Sequence, residues 1–177
     1  DRIDTHLSLY PSGLIRHNGP LFLANSLQNR VKNLINFLSS LKTRVYMQIK
    51  SVGYHGFNLY AFALLKTAYP WHPVWQSSKI NAALRYAATE AYPEGLEVSK
   101  YGYPYNPAGF ETAYAFQVFG MGTAATRQSW VQQQISRTFD WEAYMMRRHT
   151  EDPITLAARL YEATRLEDCM AEIDKAT

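Results

Sequence analysis

The sequence lacks the residues and runs that several classes of protein require. Cys169 is the only cysteine among the 177 residues, which excludes an intrachain disulfide and a thiolate-bound metal cluster. No run of about 18 consecutive apolar residues occurs, so we expect no membrane-spanning helix. The net charge is only +3 and the basic residues are scattered along the chain, which argues against a nucleic-acid partner.

Short signatures of nucleotide-dependent and metal-dependent enzymes are also missing. The chain contains no Gly-rich phosphate loop, no Gly-x-Ser-x-Gly, no His-Glu-x-x-His and no Cys-x-x-Cys pattern. These absences argue against a nucleotide enzyme and against a zinc hydrolase. We therefore predict a protein that uses neither a metal ion nor a cofactor.

The chain is instead rich in apolar and aromatic residues. Hydrophobic residues make up 47% of the sequence, and aromatic residues, including 13 tyrosines, make up 14%. A chain of this length and composition is predicted to fold as a single domain over 1–177. Aromatic rings at this density fill cores, and they also line ligand clefts and interfaces.

Apolar periodicity predicts a mainly α-helical domain after an irregular or short β-hairpin segment at 1–19. The region 20–177 is expected to form helical hairpins. Residues 44–52 are compatible with a strand or with the tail of a helix, and 93–107 is expected to be a loop. The predicted helices are Pro20 to about 42, 55–69, Ser77 or Ser78 to about Tyr92, 108–119 with Gly120 as its stop, Thr123 to about 138, and Asp152-Pro153 to about 173.

The helices at 55–69 and 108–119 are apolar on nearly every face, which predicts that both are buried all round. Their first turns also align with each other. GFNLYAFA at 56–63 matches GFETAYAF, which begins 53 residues later, so that Asn58 corresponds to Glu111. This spacing is near the length of one helical hairpin and favours a repeat of paired helices that share a core.

The stretches GYHGFNLYAFALL and YNPAGFETAYAF, together with the alternation of buried and amphipathic helices, resemble the (α/α) toroids. The resemblance covers roughly 20–166. It implies a ring of helical hairpins and a carbohydrate-active enzyme, such as a glycoside hydrolase, a polysaccharide lyase or a sugar epimerase. A complete ring needs about twice this length, so the resemblance implies a partial ring. The absence of an initial methionine favours a missing segment or a second chain that completes the ring.

In such toroids the loops that enter the inner helices open on the central cavity, which makes Glu111 the first candidate catalytic residue. Its apolar neighbours would raise its pKa, as a general acid requires. A carboxylate in a first turn also stabilises the helix through its dipole, by about 0.3–1 kcal/mol, so a purely structural role stays open.

Tyr105 and His55 are the other candidate catalytic residues. In the polysaccharide lyases that the chain resembles, a tyrosine removes a proton beside a uronate carboxylate, and an asparagine or histidine neutralises that carboxylate. The resemblance therefore implies Tyr105 as the base and Asn106 as its neighbour. His55 is able to accept a proton near neutral pH. Each of these residues also has a structural alternative. Tyr105 would pack against neighbouring side chains, Asn106 would favour the geometry of a turn, and His55 would be a core histidine with its hydrogen bonds made within the protein.

Several further residues are candidates for binding a sugar. Arg16 is able to pair with an acidic sugar through two hydrogen bonds, and Trp71 is able to stack on a sugar face. The structural alternative for the loop with Arg16 is a surface turn. The alternative for Trp71 is that it fills a buried corner between helices. The predicted substrate-binding residues are Asn58, Asn106, Arg16, His17, Trp71 and Tyr103.

The predicted function is therefore action on an acidic oligo- or polysaccharide, by hydrolysis or by β-elimination. Hydrolysis needs a second carboxylate, and the sequence near Glu111 offers no clear one. Two alternatives of other classes stay open: a non-catalytic helical interaction module, and a pocket for an apolar ligand of the terpenoid type.

Overall fold

A computed structural model of the chain describes residues 2–17 and 41–170. The described part is mainly helical, which confirms the predicted fold class at that level. The α-helices are α1 Arg2–His6, α2 Leu41–Gly53, α3 His55–Ala68, α4 Ser78–Ala87, α5 Ala91–Glu97, α6 Ala108–Phe119, α7 Ala124–Thr138 and α8 Pro153–Ala158. The other elements are the 3₁₀ turns Pro73–Gln76 and Arg159–Arg165 and the two-stranded antiparallel hairpin of β1 Phe139–Asp140 and β2 Met145–Met146.

Helix α6 lies at the centre of the fold and packs chiefly against α3 and α7. Its residues from Ala108 to Phe116 are all buried, as the apolar sequence predicted. Gly109 allows the approach of α7, because a Cβ atom there would lie 2.4 Å from the Trp130 carbonyl oxygen. The amide of Gly109 donates to Gln134 Oε1 at 3.1 Å, which joins the two helices at the start of α6.

Helix α3 is buried on one side only, so the prediction that it is buried all round was wrong. Leu59 and Ala63 are fully buried, but Phe57 is 42% exposed and Leu65 is 40% exposed. The reason is that α3 packs against α6 on one side, while no described element covers the opposite side of its middle turns. An apolar sequence does not by itself specify how many neighbours a helix has.

Several helix boundaries agree with the signals in the sequence. The Thr123 side chain accepts from the Thr126 amide at 3.1 Å and caps α7, and Asp152 accepts from the Thr155 amide and caps α8. Gly120 ends α6 in the left-handed conformation, at φ 67°. Residues 44–52 are helical rather than extended, whereas most of the predicted helix from Pro20 lies outside the described residues.

Two predicted helices were too long. The helix that begins at Ser78 ends at Ala87, and α5 occupies part of the predicted loop. Pro93 explains the break, since a proline cannot donate in a helix interior but fits the first turn of a new helix. The last helix ends at Ala158, and the chain then tightens into a 3₁₀ turn as far as Arg165.

The N-terminal segment combines a short helix with a turn. Leu9 and Ile15 pair in one antiparallel bridge around the predicted Pro-Ser-Gly turn, where Gly13 has φ 96°. A Cβ atom at Gly13 would lie 2.4 Å from the Ala82 carbonyl oxygen, so this turn packs directly on α4. The partial ring of an (α/α) toroid and the single domain over 1–177 stay predictions.

Candidate functional site

The first turns of α3 and α6 meet, and Gly56 makes their contact close. A Cβ atom at Gly56 would lie 3.0 Å from Glu111 Oε2 and 2.9 Å from the Tyr92 hydroxyl oxygen. Because Gly56 has no side chain, the Glu111 carboxylate is able to lie directly against the backbone of α3. The structure thus brings together the starts of the two helices that align in sequence.

Glu111 is fully buried and pairs with an arginine that the sequence analysis did not select. Arg159 Nη2 donates to Glu111 Oε1 at 2.5 Å. The same nitrogen donates to Glu162 Oε1 at 2.7 Å, and Arg159 Nε donates to that oxygen at 2.9 Å. Two carboxylates therefore share one guanidinium nitrogen. We call Glu111, Arg159 and Glu162 the arginine triad.

The triad holds two carboxylates for one cation in a site that water barely reaches. Burial raises the pKa of Glu111 to about 8; Arg159 opposes this rise, and Glu162 adds to it. Burial also raises the pKa of Glu162, again against the effect of Arg159. At neutral pH the triad is thus expected to hold a protonated Glu111 beside an ionised Glu162 and a charged Arg159.

Each carboxylate in the triad keeps one oxygen without a hydrogen-bond partner. Glu111 Oε2 and Glu162 Oε2 are buried and have no partner among the described residues. A buried polar atom without a partner costs free energy and is uncommon in folded proteins. A protonated carboxyl group with an uncommitted oxygen has the chemistry of a general acid, provided that a reacting group reaches it.

The 3₁₀ turn after α8 places Arg159 and Glu162 in the site. In a 3₁₀ turn the side chains at positions i and i+3 lie above one another, so both face α6. Glu162 is only 1% exposed. A pair spaced in this way on a predicted helix usually indicates an exposed ion pair, and the sequence carries no local signal that this pair is buried. The second carboxylate that the sequence analysis missed is Glu162.

Asn106 connects the triad to the loop before α6. Its Oδ1 accepts from Arg159 Nη1 at 2.5 Å. Its Nδ2 donates to the carbonyl oxygens of Gly53 and Tyr101, at 3.0 and 2.7 Å. The side chain is 1% exposed and its groups are occupied, so in this conformation Asn106 orients Arg159 rather than facing solvent. The Arg159 guanidinium has five N–H groups. One donates to Asn106 and three donate to the two carboxylates, so one N–H remains available.

Aromatic side chains form a partly exposed surface beside the triad. Tyr54 lies at its centre, with ring centroids 6.3 Å from Phe57, 5.6 Å from Tyr101 and 6.3 Å from Tyr105. The Tyr46 hydroxyl lies 2.7 Å from the Tyr101 hydroxyl. We call this set the aromatic surface; it comprises His17, Tyr46, Tyr54, Phe57, Tyr101 and Tyr105.

Arg159 is the point where the aromatic surface and the triad meet. Its guanidinium carbon lies 5.2 Å from the centroid of the Phe57 ring, and its side chain is 13% exposed. Burial and the neighbouring Tyr105 raise the pKa of Tyr54, whereas Arg159 lowers it. A ligand on the aromatic surface would therefore meet Arg159 first and the two carboxylates only behind it.

Two members of the predicted site lie on this surface: Tyr105, which is exposed, and His17, which is half-buried. Tyr105 is 37% exposed. His17 stacks on Tyr54, with ring centroids 3.9 Å apart and an interplanar angle of 18°. Burial and the nearby charge of Lys50 lower the pKa of His17, which favours a neutral imidazole at neutral pH. The structure thus places Asn106 and Glu111 against Arg159, and Tyr105 and His17 against Tyr54 on the neighbouring aromatic surface.

His55 lies apart from this group, in the core. The Ile15 amide donates to its Nδ1 at 3.2 Å, so Nε2 carries the proton and donates to the Ala83 carbonyl oxygen at 3.0 Å. Burial lowers the pKa of His55 to about 4. Both ring nitrogens are occupied and the side chain is fully buried, which matches the structural alternative raised for this residue. A catalytic role for His55 has no support from this geometry.

The other predicted binding residues are dispersed. Asn58 Nδ2 donates to the Tyr54 carbonyl oxygen at 2.8 Å, within the first turn of α3. Tyr103 is 2% exposed, and its hydroxyl donates to Gln133 Oε1 at 2.9 Å. The guanidinium carbon of Arg16 lies 4.1 Å from the centroid of the Tyr10 ring. Trp71 is 94% exposed beyond the far end of α3, about 20 Å from the triad by the rise of the helix.

Two other features are absent from the part of the chain that the structure describes. Within 2–17 and 41–170, no three His, Cys, Asp or Glu side chains are grouped so that they could hold a metal ion. In the same ranges, no helix has the length and apolar character needed to cross a bilayer.

Comparison with known proteins connects the chain to one curated relative. The chain is similar to archaeal glycosylation protein Q from Haloferax volcanii, with 37% identity over 187 aligned positions. The alignment covers 98% of this chain and 50% of the relative, so the chain spans about half the length of the curated protein it matches. No protein-family model matches the chain, and no solved structure shows significant similarity to it.

Proposed function

We propose that this chain forms part of a carbohydrate-active protein with a role in glycosylation, and that it acts on an acidic sugar at the aromatic surface. The similarity to a glycosylation protein supports the carbohydrate context. The single observation that carries the site is Arg159, a partly exposed cation held beneath exposed aromatic rings by two carboxylates. Aromatic rings with a few placed polar groups are typical of small-ligand sites.

The charge of the triad suits an acidic sugar when Glu111 is protonated. In that state Arg159 balances Glu162, and a sugar carboxylate that approaches the remaining guanidinium N–H meets no second free anion. Deprotonation of Glu111 would add a negative charge beside the ligand. We therefore expect an acidic sugar to bind best below the pKa of Glu111, at about 8.

The reaction class that we propose is removal of the proton next to the sugar carboxylate. Tyr105 is the exposed group that would take this proton as a phenolate, while Arg159 would stabilise the charge that develops on the carboxylate. In β-elimination the carbon–hydrogen electron pair becomes a carbon–carbon double bond, and the leaving oxygen departs with the electron pair of its own bond and takes the proton from Tyr105. In epimerisation Tyr105 keeps the first proton, and a proton from solvent adds to the opposite face. Hydrolysis is less well supported, because Glu111 and Glu162 are both buried on one arginine rather than facing each other across an open cleft.

The products distinguish these reactions. Elimination from a uronate oligosaccharide gives an unsaturated sugar that absorbs in the ultraviolet, epimerisation in heavy water introduces deuterium without that absorbance, and hydrolysis gives neither. With an active uronate substrate, we expect Tyr105→Phe to lower turnover by about 100-fold or more. Tyr69→Phe, at a tyrosine 65% exposed beyond the other end of α3, is the matched control. Hydrolysis products alone would refute proton removal.

A second candidate function is a helical interaction module, since α2 and α3 carry exposed apolar side chains in the part of the chain that the structure describes. Val45 and Tyr46 are 56% and 49% exposed, and Phe57 and Leu65 continue this face on α3. A second chain or a further segment that completes the ring would cover it. Sedimentation at increasing concentration tests self-association: Val45→Glu should abolish it if this face pairs, and a monomer at every concentration would argue against pairing of two copies.

A further inference from the structure

A groove next to the aromatic surface has walls of a different chemistry from the arginine triad. It has a volume of about 240 Å³. This is below the roughly 300–1,000 Å³ of pockets for drug-sized ligands, so it suits a single ring. We call it the Lys100 groove; its lining includes Lys100, Tyr101, Tyr105, Thr150, Glu151 and Asp152.

The Lys100 groove is continuous with the aromatic surface because Tyr101 and Tyr105 belong to both. These two rings stand edge to face, with centroids 6.2 Å apart and an interplanar angle of 84°. Asn106 follows Tyr105 in the chain and contacts Arg159. A molecule in the groove would therefore be a near neighbour of one that contacts Arg159.

Both walls of the groove are held in place by hydrogen bonds. On one side, the Tyr105 amide donates to the Gly102 carbonyl oxygen at 3.0 Å, and Asn106 donates to the Tyr101 carbonyl oxygen. On the other side, the Asp152 amide donates to Thr150 Oγ1 at 3.0 Å. A site formed before the ligand arrives loses less conformational entropy on binding.

The charges in the groove disfavour an acidic ligand. Lys100 Nζ lies 3.6 Å from Glu151 Oε2, so its charge is already matched, and Asp152 adds a second carboxylate. His149 is the other titratable group with a side chain on this wall besides the tyrosines. A phosphate or a uronate would meet two carboxylates here, whereas sugar hydroxyls are able to donate to carboxylates and accept from lysine. The charged and hydroxyl groups equally disfavour a fully apolar ligand.

We propose that the Lys100 groove binds the ring of a neutral sugar. The ring would lie against Tyr105, and its hydroxyl groups would bond to Lys100, Glu151 and Thr150. Together with an acidic sugar at Arg159, this defines a glycan in which a neutral unit adjoins an acidic one. That pairing of the two units rests on the proposed function, but binding of a neutral sugar in the groove does not.

The test is titration of the isotope-labelled protein with methyl glucoside, methyl mannoside and methyl galactoside, followed by amide NMR shifts. At least one neutral glycoside should shift the amides of Lys100, Thr150 and Glu151. Tyr105→Ala should weaken this binding by about three- to tenfold, as expected for loss of an aromatic contact. Glu151→Ala, at an exposed position, should also weaken it, whereas Tyr69→Ala should not.

The outcomes separate this inference from the proposed function. If none of the three neutral glycosides shifts the groove amides, or if only methyl glucuronide does, the groove does not bind a neutral sugar. Shifts at Arg159, Phe57 and Tyr105 with methyl glucuronide, with none at Lys100, Thr150 or Glu151, would then leave the acidic site intact. Shifts in the groove with a neutral glycoside, and none at Arg159 with a uronide, would support the groove and count against the proposed function.

Discussion

Replacement of Glu111 by glutamine should remove most of the pH dependence of stability above neutral pH. In the folded protein the pKa of Glu111 is raised to about 8, against an ordinary value of 4.5. Between these two values the folded state binds the proton more tightly than the unfolded state does. The free energy of unfolding therefore falls as pH rises through this interval, and the loss is complete only above the folded pKa.

The cleanest window lies between pH 6.5 and 8. Below this window His55 acts in the opposite direction, because its pKa is lowered from 6.5 to about 4 and stability rises with pH across that range. At about 1.4 kcal/mol per pKa unit, the wild-type protein should lose about 2 kcal/mol of unfolding free energy between pH 6.5 and 8. Glu111→Gln should lose much less, since glutamine keeps the hydrogen bond to Arg159 but does not ionise.

Urea unfolding at several pH values, followed by circular dichroism, measures this difference. At pH 6.5 the two proteins should have similar stability, because a protonated glutamate and a glutamine are both neutral. At pH 8 the variant should be the more stable. Equal slopes for the two proteins across this window would refute the reasoning, as would a wild-type protein whose stability does not change there.

Substitutions at three further positions test separate contacts by urea unfolding. Arg159→Met leaves the buried Glu162 charge without its partner and should lower the free energy of unfolding by about 3–5 kcal/mol. Arg159→Lys keeps the positive charge and should lower it by less. Equal losses for the two variants would contradict the charge argument. Gly109→Ala should lower the free energy of unfolding by about 1–3 kcal/mol, because the new Cβ atom would clash with the Trp130 carbonyl oxygen. An unchanged urea midpoint would show that α7 shifts to accommodate the methyl group. Thr123→Ala should cost about 1 kcal/mol, and rescue by Thr123→Ser would assign the loss to the cap.

Local signals in the sequence predicted the parts of the fold that local chemistry decides. Thr123 and Asp152 mark helix starts through their own capping hydrogen bonds, and Gly120 marks a helix end through its left-handed conformation. These signals are local, so they can be recognised in the sequence without knowledge of the fold. The burial of α6 was also predictable, since nearly every face of the helix is apolar. The same rule failed for α3, because burial depends on how many neighbours surround a helix.

The candidate site was predictable only in part, because its polar groups come from distant segments. Glu111 and Asn106 stand out beside apolar residues and glycines. Arg159 and Glu162 lie about 50 residues later in a stretch that resembles an exposed helix, and only the 3₁₀ turn directs both inward. His55 shows the opposite error: a histidine in a glycine-rich loop suggested chemistry, while its two backbone partners make it part of the core.

Recognition of an acidic sugar by Arg159 is tested most directly by NMR of the arginine guanidinium groups. Methyl glycosides of glucuronate, galacturonate and mannuronate are added in turn, with methyl glucoside as the neutral control. At least one uronide should shift the Arg159 signals together with the Phe57 and Tyr105 amides, and methyl glucoside should leave Arg159 unchanged. If all three uronides leave the Arg159 signals unchanged at concentrations that saturate millimolar sites, the aromatic surface and the arginine triad do not form an acidic-sugar site.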